Sequence, residues 1–164
     1  MMSVRVSMES CMHVRWMIRR DLVEVLGIEK LSFPEAWPKS VFVEHLRRRN
    51  TIGMVCELDD RVVGFMIYIS HKGYLDIINF AVDPEFRRRG VGTAMVNKLK
   101  GKLSPHRRTR LRLEVSDSNL PAHLFFKACG FRWIKTLRGQ WSGGDGDGSD
   151  GDVYVMEFSC GEQP

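Results

Sequence analysis

From Ile77 to Leu99 the chain reads IINFAVDPEFRRRGVGTAMVNKL, an apolar run, an Asp-Pro stop, three arginines, two spaced glycines and then apolar residues at helical spacing. That order commits the segment to a buried strand, a short turn and a helix. A helix N-terminus exposes several unpaired N–H groups and the positive end of the dipole, so it favours anionic oxygens. Gly90 and Gly92 let the backbone come close to such oxygens with no Cβ in the way. Thr93 adds a hydroxyl, and Arg87, Arg88 and Arg89 add charge. Other phosphate motifs do not match. There is no G-K-[ST] pair, and GVGTAM lacks the third glycine of a dinucleotide fingerprint and lies mid-chain.

The rest of the chain fits around this turn. Spacing predicts a strand over His13–Ile18, a helix over Arg20–Leu31 and a second helix over Ser40–Arg48, with the proline-bounded loop FPEAWP (Phe33–Pro38) between the helices. Thr51–Leu58 and Arg61–Ser70 form a hairpin across Asp59-Asp60, because acidic residues tolerate the turn geometry. Tyr74–Val82 is almost wholly apolar, which predicts burial on both faces. Gly90–Leu103 is the helix that opens on the turn, with Val91, Met95, Val96, Leu99 and Leu103 on one face. Leu111–Val115 alternates as a strand. Asn119 reads as an N-cap, with Pro121 in the first turn and Gly130 just past the last. Phe131–Leu137 and Val153–Phe158 close the sheet. The Asp/Gly-rich run Ser142–Asp152 reads as a mobile loop. The order β-α-α-β-β-β-α-β-α-β-β is that of an α/β protein, a mixed sheet with helices on both faces. Domain expectations are a loose extension over residues 1–11, one domain over 12–159 and a tail over 160–164.

Composition removes several classes. A chain of 164 residues suits one domain. No apolar run approaches the roughly 20 residues needed to span a bilayer, and the start has no apolar core of a secretory signal. Cys11, Cys56, Cys129 and Cys160 are far apart and form no C-x-x-C pair, which argues against a metal site or a disulfide framework and for a reducing cytoplasm. The net charge of +5 suits an anionic ligand, while no aromatic-interleaved motif points to nucleic acid. Arg47–Arg49 end the second helix, where cations complement the carbonyl end of its dipole.

The segments IEKLSFPEAWPKSVF (Ile28–Phe42), NFAVDPEFRRRGVGTAMVNKL (Asn79–Leu99) and LRLEVSDSNLPAHLFFKACGF (Leu111–Phe131) together resemble the GNAT family of N-acetyltransferases. The likeness is greatest to its RimI branch, the alanine N-acetyltransferases of a small-subunit ribosomal protein. It implies a GNAT fold, a central and mostly antiparallel sheet of about six or seven strands, splayed between the fourth and fifth. It implies acetyl-CoA as co-substrate, no metal and no membrane. Phe80, Ala81 and Val82 would offer backbone groups to the pantetheine and acetyl carbonyl. Arg87 to Thr93, including Val91, would cradle the pyrophosphate, and Asn119 would reach the cofactor from the next helix, though capping alone also explains it. Glu114 would be the general base that takes a proton from the amine. It shares strand parity with Arg110 and Arg112, so it faces a polar side, either cleft or solvent.

At Phe126 the chain departs from the family, which places a tyrosine there to protonate the departing thiolate. Tyr154 or Tyr74 can supply a hydroxyl instead, and a thiol of pKa about 8.5 leaves with little help. On the acceptor side, Phe33 and Trp37 would wall the channel, while Trp141, Tyr154 and the acidic residues Asp145, Asp147, Asp150 and Asp152 would meet the incoming chain. The acceptor implied is a protein N-terminus of Ala type, ribosomal or other. A small-molecule amine such as an antibiotic or polyamine is the alternative, and a catalytically weak CoA-binding or ribosome-associated module a second.

Overall fold

The structure is a computed structural model, describing residues 11–141 and 151–161, with the side chains of Gln140 and Trp141 left aside. The elements run β1 (Met12–Trp16), α1 (Leu22–Ser32), α2 (Lys39–Leu46), β2 (Thr51–Leu58), β3 (Arg61–Ser70), β4 (Tyr74–Val82), α3 (Val91–Lys100), β5 (Arg110–Ser116), α4 (Leu120–Ala128), β6 (Arg132–Trp141) and β7 (Gly151–Ser159). The described strands form one sheet in the order β1-β2-β3-β4-β5-β7-β6, antiparallel throughout except for the parallel pair β4–β5. This is the mixed sheet the sequence predicts. Residues 1–10 of the expected extension, 162–164 of the expected tail and 142–150 of the acidic loop lie outside the described residues.

Two apolar layers sandwich the sheet. Val91, Met95, Val96 and Leu99 of α3 join Phe126 of α4 against Met66, Tyr68, Leu75, Ile77, Leu111 and Leu113. Each such side chain, fully buried, contributes about 1.5–3 kcal/mol. On the other face Val25 and Ile28 of α1 and Phe42 of α2 pack on Val55, Phe65, Ile67 and Ala81.

Several boundaries move for local reasons. The first strand ends at Trp16 rather than Ile18, because the Asp21 carboxylate accepts the Ile18 N–H at 2.8 Å and draws Arg19–Asp21 into a 3-10 turn. That turn delays α1 to Leu22. Helix α3 starts at Val91, not Gly90, since Gly90 takes φ +81 and cannot be helical, and it ends at Lys100 rather than Leu103. The last strand starts at Gly151, so Asp152 belongs to β7 and not to the loop, and its Oδ1 accepts the Gly139 N–H at 3.1 Å across the ladder. Asp59 and Asp60 both take positive φ, +50 and +63, the turn expected for that hairpin.

Strand β4 corrects the expectation of burial on both faces. Its pattern alternates, with Leu75, Ile77, Asn79 and Ala81 buried and their neighbours half-buried. A bulge explains this. The register shifts between Ile67 and Tyr68, so Ile78 is the extra residue between Ile77 and Asn79. The buried set therefore changes sides there, with Leu75 and Ile77 under α3 and Ala81 under α1.

Candidate active site

The bulge bends β4, and bulges sharpen local twist. At the same place β4 and β5 part. Their parallel pairing covers Tyr74–Ile77 against Arg110–Leu113 and goes no further. Beyond it β4 stays with β3 up to Gly64↔Val82, and β5 stays with β7 up to Ser116↔Val153. The sheet is thus forked between its fourth and fifth strands.

The register fixes which backbone groups line the fork. Asp83 donates its N–H to Val63 O at 2.8 Å, which makes Phe65–Ala81 and Ile67–Asn79 the mutually bonded pairs of the β3–β4 ladder. Ala81 therefore spends its backbone groups on β3, whereas Phe80 and Val82 turn theirs to the open side. The Val82 carbonyl accepts Arg87 Nε at 3.2 Å, leaving its N–H for the fork.

Past Val82, Asp83 caps a 3-10 turn at Pro84–Phe86 by accepting the Glu85 N–H at 3.0 Å. Arg88 takes φ +63, Gly90 takes φ +81, and α3 begins. The first intrahelical bond is Ala94 N–H to Gly90 O at 2.9 Å, so the N–H groups of Val91, Gly92 and Thr93 have no helical partner. The two glycines serve different needs. Gly90 supplies the left-handed backbone, and a Cβ there would meet open space. At Gly92 a Cβ would sit 2.9 Å from Phe125 Cζ and 3.3 Å from Phe80 Cζ, so the chain's own rings require this glycine. Arg89 and Arg61 stack on Phe86 at 5.1 and 5.2 Å from its centroid.

Phe126 is 5% exposed and packs against Phe131, with ring centroids 5.3 Å apart. It is Phe125 that reaches the first turn of α3, stacked on Phe80 at 5.7 Å. Phe125 carries no polar group and reads in the sequence as one more apolar residue of α4, so nothing there singles it out. The Asn119 side chain is used as a cap, accepting the Ala122 N–H at 3.3 Å.

Glu114 stands one residue past the last β4–β5 pair. Its side chain is 50% exposed, on the face opposite Leu113 and Val115 and thus on the side of α1 and α2, with Arg112 Nη2 at 3.8 Å. Asp76 shares that face beside Arg112; burial raises its pKa and the Glu114 charge adds to this, while Arg112 and His71 oppose it. Phe33 and Trp37 lie on the same side, with Trp37 stacked on His45 at 4.8 Å and edge-on to Phe42 at 5.3 Å. Beneath them is Glu29, 2% exposed. Glu29 reads in the sequence as an ordinary surface acid of its helix, whereas Asp76 is the one charged residue in a strand expected to be buried on both faces, a signal that a polar cleft lies beside it.

The other predicted residues lie elsewhere. Tyr154 pairs with Val115 and meets His123 of α4 at 5.5 Å, so it belongs to the α3/α4 face, across the sheet from Phe33 and Trp37. Tyr74 sits opposite Arg110, at the end of the paired stretch away from the fork. Trp141 pairs with Gly151 at the end of β6. Among the described residues no group of His, Cys, Asp and Glu is placed to hold a metal ion, and no helix is long and apolar enough to cross a membrane.

A forked sheet whose opening leads to a glycine-bearing helix N-terminus offers unpaired strand and helix N–H groups to one elongated anionic ligand. The family model for acetyltransferases of the GNAT type matches residues 22–131. The chain belongs to the GNAT family. An N-alpha-acetyltransferase of Sulfurisphaera tokodaii is 30% identical over 149 residues, covering 83% of this chain and 86% of that protein. The ribosomal protein bS18-alanine N-acetyltransferase of Salmonella typhimurium is 30% identical over 111 residues, 68% of this chain and 74% of its own. The solved ribosomal-protein-S18-alanine N-acetyltransferase of Escherichia coli superposes with TM-score 0.80 at 20% identity, covering 94% of this chain and 97% of that one, a likeness of fold. As a GNAT enzyme the chain is an acetyl-CoA-dependent acetyltransferase that moves an acetyl group to an amine.

Proposed function

We propose that the acceptor is the α-amine of a protein N-terminus, of Ala type and ribosomal in the first instance. The fork at Ile77/Leu113 carries this reading, with Glu114 on the same side as the Phe33–Trp37 loop; the two N-terminal acetyltransferase relatives support it. The N–H groups of Val91, Gly92 and Thr93 hold the pyrophosphate, with Arg88 at the rim. The Phe80 N–H donates to the acetyl carbonyl oxygen and stabilises the charge that grows there. Glu114 takes the proton of the incoming ammonium, whose unperturbed pKa is near 8, directly or through water. The thiol of CoA then leaves as thiolate.

Transfer goes straight from donor to amine. Burial and the neighbouring Glu57 charge push the Cys56 thiol up to about 11, and burial raises Cys129 against the pull of Lys100, so neither is a ready nucleophile. CoA release should be followed with an Ala-initiated peptide, its N-acetylated counterpart and spermidine. Release with the free peptide alone is expected. Release with spermidine and not with the peptide transfers the assignment to small amines.

A further inference from the structure

Glu29 lies in the middle of α1, among the apolar residues that pack this helix on the sheet. A carboxylate so placed is costly unless its oxygens are paired. Burial raises its pKa above the ordinary 4.5, and two hydrogen bonds pull the other way. Its Oε1 accepts the backbone N–H of Trp37 at 3.1 Å, and its Oε2 accepts Asn79 Nδ2 at 3.0 Å. Asn79 is itself 8% exposed.

The two donors come from opposite sides of the reaction. Trp37 is in the loop between α1 and α2, on the acceptor side. Asn79 closes the β4 bulge and immediately precedes Phe80, whose backbone faces the fork. A core position of merely structural value is filled as well by a Leu or Met, which needs no partners. A carboxylate that accepts one bond from each half instead selects one placement of the halves.

We propose that Glu29 is a positioning residue that ties the acceptor loop to the donor strand through Trp37 and Asn79, so that amine and thioester meet in fixed register. This rests on the acceptor and donor sides assigned above. Small displacements between reacting groups cost rate steeply.

The test uses the full chain, an Ala-initiated peptide and acetyl-CoA. Glu29→Gln keeps the volume and sets an amide NH2 against one of the two donors. The peptide kcat/KM is expected to fall roughly tenfold or more, with the acetyl-CoA Kd held within about threefold. The double variant Glu29→Gln/Asn79→Asp restores both bonds with roles exchanged, the Gln oxygen accepting Trp37 N–H and its NH2 donating to the new carboxylate. It should return the peptide kcat/KM to within about threefold of the parent, a recovery that a change in core packing alone does not produce. The proposal is overturned if Glu29→Gln leaves the peptide kcat/KM within about twofold, or if the folded double variant is no better than the single. Should Glu29→Gln fail to fold, Asn79→Ala removes one bond only; the same fall is expected, and an unchanged value overturns the idea. A parent inactive on the peptide but active on spermidine refutes the acceptor assignment alone, and the variants are then judged on spermidine by the same thresholds.

Discussion

Glu114 owes its place to parity and to the fork. Leu113 and Val115 commit their side chains to the α3/α4 core, which turns Glu114 to the other face just where β4 no longer covers β5. Glu114→Gln keeps the shape and removes the proton acceptor. It should lower kcat by about 10²–10⁴-fold in steady-state assays while acetyl-CoA binds as before. A loss of only about twofold would reassign Glu114 to the surface pair with Arg112. The hydroxyl missing at Phe126 makes the opposite prediction. Phe126 is buried against Phe131, and a thiolate is a good leaving group, so Phe126→Tyr should change kcat by less than about tenfold. That Glu114 turns away from Leu113 and Val115 was legible in the alternation of LRLEV; the splay beside it followed from the family resemblance alone, because the fork depends on the bulge at Ile78 in a different strand.

At the scale of elements, the turn from Asp83 to Thr93 works by backbone conformation and close packing together. Gly90→Ala meets open space but must hold a side chain at φ +81, which costs about 1 kcal/mol. Gly92→Ala drives a methyl to within 2.9 Å of Phe125. It should cost about 1–3 kcal/mol in denaturant unfolding and weaken acetyl-CoA binding as well, since the first turn of α3 must shift. Equal effects of the two substitutions on acetyl-CoA affinity would contradict this division. The turn was readable because its residues are contiguous and each has one conformational meaning. The reason for Gly92 was not readable, because the ring that needs it comes from α4, more than thirty residues on. That Tyr154 faces α4 rather than Phe33 and Trp37 was not readable for a related reason: strand parity sets its face, and its partner Val115 became known only with the β5–β7 register.

Across the whole molecule α3 and α4 cover one face of the sheet and α1, α2 and the Phe33–Pro38 loop the other, and the proposed function assigns the first layer to the donor and the second to the acceptor. One ion-pair network anchors the acceptor layer at the β1–β2 edge. Arg15 donates to both Asp21 oxygens, at 2.7 and 2.9 Å, and to Glu57 at 2.6 Å. Burial alone would raise the Asp21 pKa, but the Arg15 and Ile18 hydrogen bonds outweigh it and hold it below the ordinary 3.8. Its stabilisation is therefore complete above that value and lost as pH falls through the lower folded one. Glu29, raised by burial, has the reverse sign, with stability draining as pH rises from 4.5 through its folded value. Asp21→Asn should cost about 1–3 kcal/mol at neutral pH and flatten the fall in Tm as pH drops below about 4; a parallel fall in parent and variant would show that the acid transition lies elsewhere. The order of elements was legible throughout because each has a clear period, whereas the division into layers needed the strand pairing. The central claim is that the fork and the start of α3 are one donor site. Amide hydrogen exchange with and without acetyl-CoA tests it most directly. Protection is expected at Phe80, Val82, Val91, Gly92 and Thr93, with β1 and β6 unchanged; protection confined to other segments, or none, would contradict it.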